Sequence, residues 1–407
     1  MCADLDNVLV HEYCVELAED IASGVWDEPS PVPDGSPCRI DTILNHDHTF
    51  DRYILYHRDE ISDHQLTSVL AMLRCADDSC GGITYKCVEC GDTEFVPFRC
   101  HGRLCPRCGK RYAERWGRDL LSRMLPADHR HLIFTLTPAV WELVATDVGR
   151  LVQDLFDAAR RAVERMFEDR FGKLRVRPGI IAVVHFTGRD MKWNPHIHMI
   201  VTEGGLTPWG EWKKHAYWPY MKMSAYWKYE VLNRLRFHLR DSLDAKAAID
   251  RQWTMSFKDG TNGYVVKHYR DLGDMEGLGS YLARYVRHPP IGESRILGYD
   301  DEGVRIRYEW DNEVHETTVA TDDFVRSLLS NIPPRGFHVV RWYGLYSPTL
   351  RRWARWRMCG IDTVPARLES YIDILSGDEV RCADCGGVME PMVLEYVRNG
   401  RWEIIIF

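Results

Sequence analysis

Cysteine clustering constrains the fold of this chain more than any other feature of its sequence. Seven of the thirteen cysteines lie between Cys75 and Cys108, and four of those seven form two CxxC pairs. In a reducing compartment such clustering favours metal ligation over disulfides. Two CxxC pairs supply four thiolates for a closed, tetrahedral structural zinc site. We therefore expect a zinc ribbon whose ligands are Cys87, Cys90, Cys105 and Cys108.

Other potential ligands remain after this assignment. Four of them lie within the same stretch and could form a second zinc site: Cys75, Cys80, Cys100 and His101. A third CxxC pair, Cys382 and Cys385, has no obvious partner in the sequence, although Cys359 is a candidate. The sequence thus indicates one structural Zn²⁺ and leaves a second one open.

Charge is unevenly distributed along the chain. Residues 1–63 contain fifteen Asp and Glu against three Arg, a local net charge of −12, which leaves +4 on the remainder of a chain whose total is −8. Residues 99–118 contain seven Lys and Arg against one acid, and residues 335–357 contain six Arg and no acid. Basic stretches with interleaved aromatic residues suit single-stranded nucleic acid, because cations meet phosphates and rings stack on bases. Either stretch alone could instead be a solvated surface. We expect the following cations to contact DNA: Arg103, Arg107, Lys110, Arg111, Arg284, Arg287, Arg351, Arg352 and Arg355.

The composition is that of an ordinary globular protein, with 45% hydrophobic and 28% charged residues. No apolar run approaches the ~20 residues that a membrane span needs. The acidic N-terminal stretch lacks the positively charged region of a secretory signal. We therefore expect a cytoplasmic protein without a membrane partner.

Two histidines in the segment KWNPHIHMIV share one face of a predicted strand. Residues i and i+2 of a strand point to the same side, so His196 and His198 project together and Ile197 projects to the other side. His185 lies in the preceding strand, and a turn at Gly188–Asp190 can fold that strand back beside them. Three neutral imidazoles suit a divalent ion and leave positions open for a phosphate oxygen. The alternative is a set of core histidines that bond to the backbone.

Strand and helix patterns alternate from about residue 130 onward. The runs HLIFTLT, GIIAVVHFT, NPHIHMIVT and GYVVKHY are typical of strands, and a long helix is predicted from Ala139 to about Phe171. This alternation predicts an α+β fold in which helices cover an antiparallel sheet. The predicted domains are an acidic N-terminal segment (1–58), a zinc-binding, DNA-binding domain (59–125), a catalytic domain (126–345), and a basic and aromatic C-terminal segment with the last CxxC pair (346–407).

Two tyrosines four residues apart occur in the segment LGSYLARYVRH. On a helix, Tyr281 and Tyr285 lie one turn apart on the same face. Aromatic pairs at this spacing usually pack in a core, but Arg284, Arg287 and His288 give this segment a cationic surround. A tyrosine oxygen can attack a phosphodiester and form a covalent phosphotyrosine when a metal polarises the phosphate. Two such tyrosines permit two successive attacks.

Four sequence blocks occur in one order along the chain: CGG…CVECG…CHGRLCPRCG, NPHIHMIV, YLARYVRHPPIGESRI and GFHVVRWYGLYS. With these blocks the chain resembles, over about residues 60–390, the two-tyrosine HUH rolling-circle transposases of the insertion-sequence ninety-one family. The resemblance implies an HUH endonuclease core, an antiparallel sheet flanked by helices, preceded by a small zinc-ribbon domain. The chain departs from that family's zinc pattern at Ile83 and Leu104, where histidines are usual.

The same resemblance implies roles for particular residues. His196 and His198, with His185 beside them, are implied as ligands of Mg²⁺ or Mn²⁺, and Tyr281 and Tyr285 as nucleophiles. The implied reaction nicks one DNA strand and keeps its 5′ end on a tyrosine. The freed 3′-OH primes replication, and the second tyrosine carries out strand transfer.

Three other functions are compatible with parts of the sequence. A rolling-circle replication initiator would use the same chemistry. A non-catalytic, zinc-dependent nucleic-acid-binding protein would explain the cysteines and the basic stretches, but it leaves the histidine face and the paired tyrosines without a role. A metallohydrolase would need a general base, and no carboxylate is convincingly placed to act as one.

Overall fold

The structure is a computed structural model of the 407-residue chain. It describes residues 39–254, 263–269, 290–310, 313–360, 380–398 and 401–406, together with residues 10, 13–15, 17 and 19. The predicted helix that carries Tyr281 and Tyr285 lies outside the described residues, as do Arg284 and Arg287.

The helices of the described residues are α1 (Ile40–Asn45), α2 (Thr49–His57), α3 (Asp63–Leu73), α4 (Pro106–Arg123), α5 (Pro138–Ala145), α6 (Val148–Phe171), α7 (Tyr220–His238), α8 (Leu243–Thr254), α9 (Thr321–Ser330) and α10 (Arg351–Cys359). Within the described ranges, no helix has the length and apolar character that a membrane crossing requires.

The strands of the described residues are β1 (Gly81–Cys87), β2 (Thr93–Pro97), β3 (His129–Phe134), β4 (Arg177–Thr187), β5 (Trp193–Leu206), β6 (Trp212–Lys214), β7 (Val266–Tyr269), β8 (Ile296–Asp300), β9 (Gly303–Trp310), β10 (Glu313–Val319), β11 (Val340–Gly344), β12 (Met389–Arg398) and β13 (Arg401–Ile406).

These elements divide between two compact units. One, called the cysteine unit below, takes its described residues from Met1–Tyr112, Arg287–Ile332 and Arg367–Phe407. The other, called the sheet unit, takes its described residues from Ala113–Val286 and Pro333–Ala366.

The sheet unit is built on one six-stranded sheet. Its strand order is β11-β4-β5-β3-β7, and β6 pairs with the far end of β5. Every one of these pairings is antiparallel. Helices α6 and α7 pack against this sheet and contribute to its core. The predicted α+β fold, with helices on an antiparallel sheet, is confirmed.

Alternation along β5 decides which face of the sheet is the core. Ile197, Met199 and Val201 are fully buried and belong to the same core as Phe156 of α6 and Trp227 of α7. Each such buried side chain stabilises the fold by about 1.5–3 kcal/mol. Because the side-chain period of a strand is two, this apolar set fixes the register of β5 and turns the intervening residues to the opposite face.

The long helix predicted between Ala139 and Phe171 is in fact two helices, α5 and α6. The break lies at Asp147, whose side chain accepts a hydrogen bond from the amide of Arg150 at 3.0 Å. A carboxylate in this position satisfies an N–H that has no partner inside the helix, so it starts a new helix. Apolar residues recur at helical spacing on both sides of this break, so the sequence pattern alone predicted one helix.

The cysteine unit contains a four-stranded sheet of order β13-β12-β1-β2 and a three-stranded sheet of order β10-β9-β8. Strand β1 pairs with β12 along its whole length, from Gly81 opposite Tyr396 to Cys87 opposite Met389. The strands after residue 388 therefore extend the sheet of the cysteine-rich hairpin. The predicted domain boundaries differ from this arrangement, since they placed those strands in a separate C-terminal segment.

Candidate functional site

Antiparallel pairing of β4 and β5 brings three histidines together. His185 lies directly opposite His196, and His198 follows on the same face of β5. The ring centroids of His185 and His196 are 5.1 Å apart, and those of His196 and His198 are 4.9 Å apart. One nitrogen from each ring lies within 4.8 Å of the others. The predicted convergence of these rings is thus seen, on the face of the sheet that the helices of the core do not cover, while their role as ligands stays a prediction.

The backbone orients the ring of His196. Its Nδ1 lies 2.6 Å from the carbonyl oxygen of Asn194, so Nδ1–H donates and Nε2 carries the lone pair. A hydrogen bond of this kind, from the nitrogen that does not bind metal, fixes the tautomer and orientation of metal-binding histidines. Burial lowers the pKa of His196, and burial together with the neighbouring histidines lowers that of His198. Both rings are therefore neutral near pH 7, as metal ligation requires.

A fourth histidine, His131 of β3, contacts this group, although the sequence did not predict it. It is 1% exposed, and its Nε2 lies 3.0 Å from Nδ1 of His198. The two rings are nearly parallel, at 6°. With Nδ1 of His198 engaged by His131, the remaining nitrogen of His198 is its Nε2. The available signal was a second HxH pair, in HRHLIF at the start of β3, which puts His129 and His131 on one face.

We expect the variant His131→Ala to lower the affinity of the protein for Mn²⁺ by about 10- to 100-fold, because a residue that orients a ligand is lost. His131→Gln should restore part of that affinity, since its amide oxygen can accept the same hydrogen bond. Titration of each variant with Mn²⁺, followed by water proton relaxation, measures the effect. Equal affinity of the alanine variant and the parent protein would show that His131 only packs.

Eight cysteines of the cysteine unit form two groups of four. In the first sulfur group, Cys75 Sγ lies 3.6 Å from the sulfurs of Cys105 and Cys108, and Cys100 Sγ lies 3.7 Å from Cys108 Sγ. Zn–S bonds of about 2.3 Å in a tetrahedron place sulfurs about 3.8 Å apart, so this spacing fits zinc. The second sulfur group has the same compactness, with all four sulfurs within 4.8 Å of one another: Cys87, Cys90, Cys382 and Cys385.

This division corrects the expected grouping of the cysteines. The CxxC pair that begins at Cys87 lies at the turn of the β1–β2 hairpin, whereas Cys75 and Cys100 flank its open end. Strand β1 has seven residues, and at ~3.3 Å per residue the two ends of the hairpin are about 20 Å apart. Cys105 and Cys108, at the start of α4, lie with Cys75 and Cys100 at the open end of the hairpin, so they cannot also reach the cysteines at its turn.

Two residues expected in the second zinc site belong to neither sulfur group. Cys80 Sγ instead lies 3.8 Å from the carbonyl oxygen of Arg74, and His101 is exposed. Ile83 and Leu104, the positions at which the sequence departs from the family pattern, are buried apolar side chains. Cys382 and Cys385, for which the sequence offered no obvious partner, lie beside the CxxC pair of the β1–β2 turn, Cys87 and Cys90.

Two family models match the chain. One, described as "Putative transposase", matches residues 179–353, and the other, described as "Transposase zinc-binding domain", matches residues 45–136. The first range contains the three converging histidines, and the second contains the whole first sulfur group. Together the two matches fit a transposase of the insertion-sequence ninety-one family.

Two relatives of this transposase agree with the match. The chain is 26% identical over 303 residues to "Putative transposase y4qJ" of Sinorhizobium fredii (strain NBRC 101917 / NGR234), an alignment that covers 70% of the chain and 75% of the relative. It is 25% identical over 304 residues to "Transposase for insertion sequence element IS801" of Pseudomonas savastanoi pv. phaseolicola, covering 70% of each. No solved structure matches the chain significantly. The zinc-binding match and the sulfur groups together support structural zinc in the transposase.

The basic residues expected to contact DNA are placed differently from one another in the transposase. Lys110 and Arg111 of α4 and Arg351 and Arg352 of α10 are exposed. Among the remaining described cations, the guanidinium of Arg107 lies 3.0 Å from a carboxylate oxygen of Asp41, Arg355 donates to the carbonyl of Ser122 at 3.1 Å, and Arg103 is half-buried. Their contacts with DNA stay predictions.

Proposed function

We propose that this transposase nicks and rejoins single-stranded DNA at the ends of its element through a metal-dependent 5′-phosphotyrosine intermediate. The observation that carries the proposal is the convergence of three imidazoles on one face of the sheet, within the part of the chain that matches a transposase model. We place this reaction in rolling-circle transposition in the cytoplasm.

The histidine group fits a divalent cation. Its donor atoms are ring nitrogens, held by a backbone carbonyl at His196 and by His131 at His198. Imidazole is a better ligand for Mn²⁺ than for Mg²⁺, and either ion can be held with positions left for oxygen ligands. A divalent ion bound here supplies Lewis-acid polarisation of the scissile phosphate.

The tyrosines Tyr281 and Tyr285 supply the nucleophiles in this proposal. The phenolic oxygen of one forms a bond to phosphorus while the bond to the 3′ oxygen of the preceding nucleotide breaks, and the phenolic proton ends on that 3′ oxygen. A free phenol has a pKa of about 10, so in this proposal the bound ion and Arg284 or Arg287 favour the phenolate and stabilise the charge on the phosphate. The released 3′-OH then primes synthesis.

The second tyrosine allows strand transfer without release of the first DNA end. While one phenolic oxygen holds the 5′ phosphate, the other attacks a second phosphodiester. A free 3′-OH can then attack either phosphotyrosine, which restores a phosphodiester and the phenol. The number of phosphodiester bonds is conserved, so the sequence of cuts and joins needs no nucleotide cofactor.

The test uses oligonucleotides from the element ends, labelled at the 5′ or the 3′ terminus. With Mg²⁺ or Mn²⁺ the 5′-labelled single strand should give a shorter free product that ends in a 3′-OH. The 3′-labelled strand should become linked to protein. Duplex DNA of the same sequence, a shuffled strand and a chelator are the controls. Equal cutting of duplex, or products with a free 5′-phosphate, would contradict the proposal.

A further inference from the structure

We infer that the second sulfur group is a structural zinc site shared by two distant parts of the chain, Cys87 and Cys90 from the β1–β2 turn and Cys382 and Cys385 from the segment before β12. The last two cysteines lie outside both matched ranges. The site would make a zinc ribbon from two halves that are more than 290 residues apart in sequence, since Cys90 and Cys382 are separated by 292 positions. This inference does not depend on the proposed DNA chemistry.

The sulfur positions have the pattern of a tetrahedron. Cys90 Sγ lies 3.6 Å from Cys382 Sγ and 3.5 Å from Cys385 Sγ, and Cys87 Sγ lies 3.5 Å from Cys385 Sγ. A disulfide would bring two sulfurs to about 2.05 Å and leave the other pair apart. Here the sulfurs of Cys90 and Cys385 each have two sulfur neighbours at nearly the same distance. That distance is close to the ~3.8 Å expected between two thiolates bound to one zinc ion.

The two CxxC turns have the same backbone conformation. In each, the glycine after the second cysteine donates its N–H to the carbonyl of the first cysteine, Gly91 to Cys87 at 3.1 Å and Gly386 to Cys382 at 2.9 Å. In each, the N–H of the first cysteine donates to the carbonyl five positions later, at 2.7 and 2.9 Å. Both glycines have positive φ, 81° and 74°, which a residue with a Cβ adopts at a cost. Two equivalent turns facing each other supply two thiolates each.

Backbone N–H groups also point at the sulfurs. Cys87, Cys90 and Cys385 each accept a hydrogen bond from a main-chain N–H of their own turn. Such bonds stabilise the thiolate form, which is the form that binds metal. A Cβ on Gly387 would lie 3.1 Å from Cys87 Sγ, so a larger residue there would press on the sulfurs.

The sheet explains how the two turns meet. Strand β12 runs antiparallel to β1 with Met389 opposite Cys87, so the turn that precedes β12 lies beside the turn that follows β1. Val88 adds a hydrogen bond from its N–H to the carbonyl of Val388 at 3.2 Å. Cys87 and Cys382 are buried in the small core of this sheet, whereas Cys90 and Cys385 are exposed. Metal binding at the site would therefore fix β12 and β13 against the hairpin.

The test counts thiolate-bound metal in the full-length protein. The purified chain should contain two such zinc ions, one per sulfur group. Cys382→Ser/Cys385→Ser should contain one, and Cys87→Ser/Cys90→Ser should also contain one. The quadruple variant should still contain one rather than none, because both pairs hold the same ion. Cys359→Ser, at an exposed cysteine outside both groups, is the matched control and should keep two.

Cobalt substitution keeps the test decisive if a serine variant fails to fold. Thiolate-to-Co²⁺ charge-transfer absorption reports sulfur ligands alone, so metal on the histidines does not contribute to it. Cys385→His should retain the metal and lose about a quarter of the absorption of that site, one thiolate in four. Two zinc ions in Cys382→Ser/Cys385→Ser, an unchanged cobalt spectrum in Cys385→His, or iron in this site would overturn the inference.

Discussion

Replacement of His198 by alanine is expected to reduce the rate of DNA nicking by a factor of about 10³ or more. The bound metal would supply several kcal/mol of stabilisation to the transition state, and each 1.36 kcal/mol corresponds to a factor of ten. His198 is 2% exposed and is positioned by His131, so its replacement by alanine removes one of the three converging imidazoles together with the hydrogen bond that orients it. His196→Ala should have a similar effect, and His185→Ala a smaller one.

The loss must be separated from unfolding. Removal of a buried, hydrogen-bonded imidazole is also expected to lower the free energy of unfolding by about 1–3 kcal/mol. Nicking is therefore assayed well below the melting temperature of the variant, with His315→Ala, on β10 of the cysteine unit, as the control that should nick at the parent rate. If folded His198→Ala nicks DNA at the parent rate and with the same metal dependence, the three histidines do not hold the metal that nicking requires.

The double variant Tyr281→Phe/Tyr285→Phe is expected to form no covalent adduct with DNA, with cleavage reduced by more than about 10⁴-fold. Phenylalanine keeps the ring and removes only the oxygen that attacks phosphorus, and loss of a nucleophile has effects of this size or larger. Each single variant should still cleave an oligonucleotide once, through the remaining phenol, but should fail in complete transposition.

Tyr217→Phe is a suitable control, because Tyr217 is exposed and lies outside the predicted site. It should leave both cleavage and transposition unchanged. Complete transposition by one of the single variants would mean that one tyrosine suffices and that the two-step scheme fails. An adduct formed by the double variant would place the nucleophile elsewhere.

The parts of the structure that follow a local period could be predicted from the sequence. His196 and His198 share a face because the strand period is two. The short turn after Thr187 folds β5 back beside β4, which brings His185 opposite His196. The α+β fold follows from the same alternation of strands and helices. These features depend on residues that are close in sequence.

The parts that depend on distant pairings could not. The CxxC spacing gave the number of thiolates but not their grouping, because that is decided by the length of the β1–β2 hairpin and by the pairing of β1 with β12. His131 was missed for the same reason, since β3 meets β5 across a connection of about sixty residues and sequence spacing cannot register Ile133 opposite His198. Long-range register, rather than residue type, set the limit.

The proposed reaction forms a metal-dependent bond between a tyrosine oxygen and the 5′ phosphate of DNA. This bond can be located by incubating the transposase with single-stranded DNA from an element end, digesting the adduct with trypsin and nuclease, and mapping the remaining nucleotide by mass spectrometry. We expect a nucleotide on Tyr281 or Tyr285, formed with Mg²⁺ or Mn²⁺ and absent with a chelator. Cleaved DNA with a free 5′-phosphate and no modified peptide would instead indicate hydrolysis by water and would rule out the phosphotyrosine intermediate.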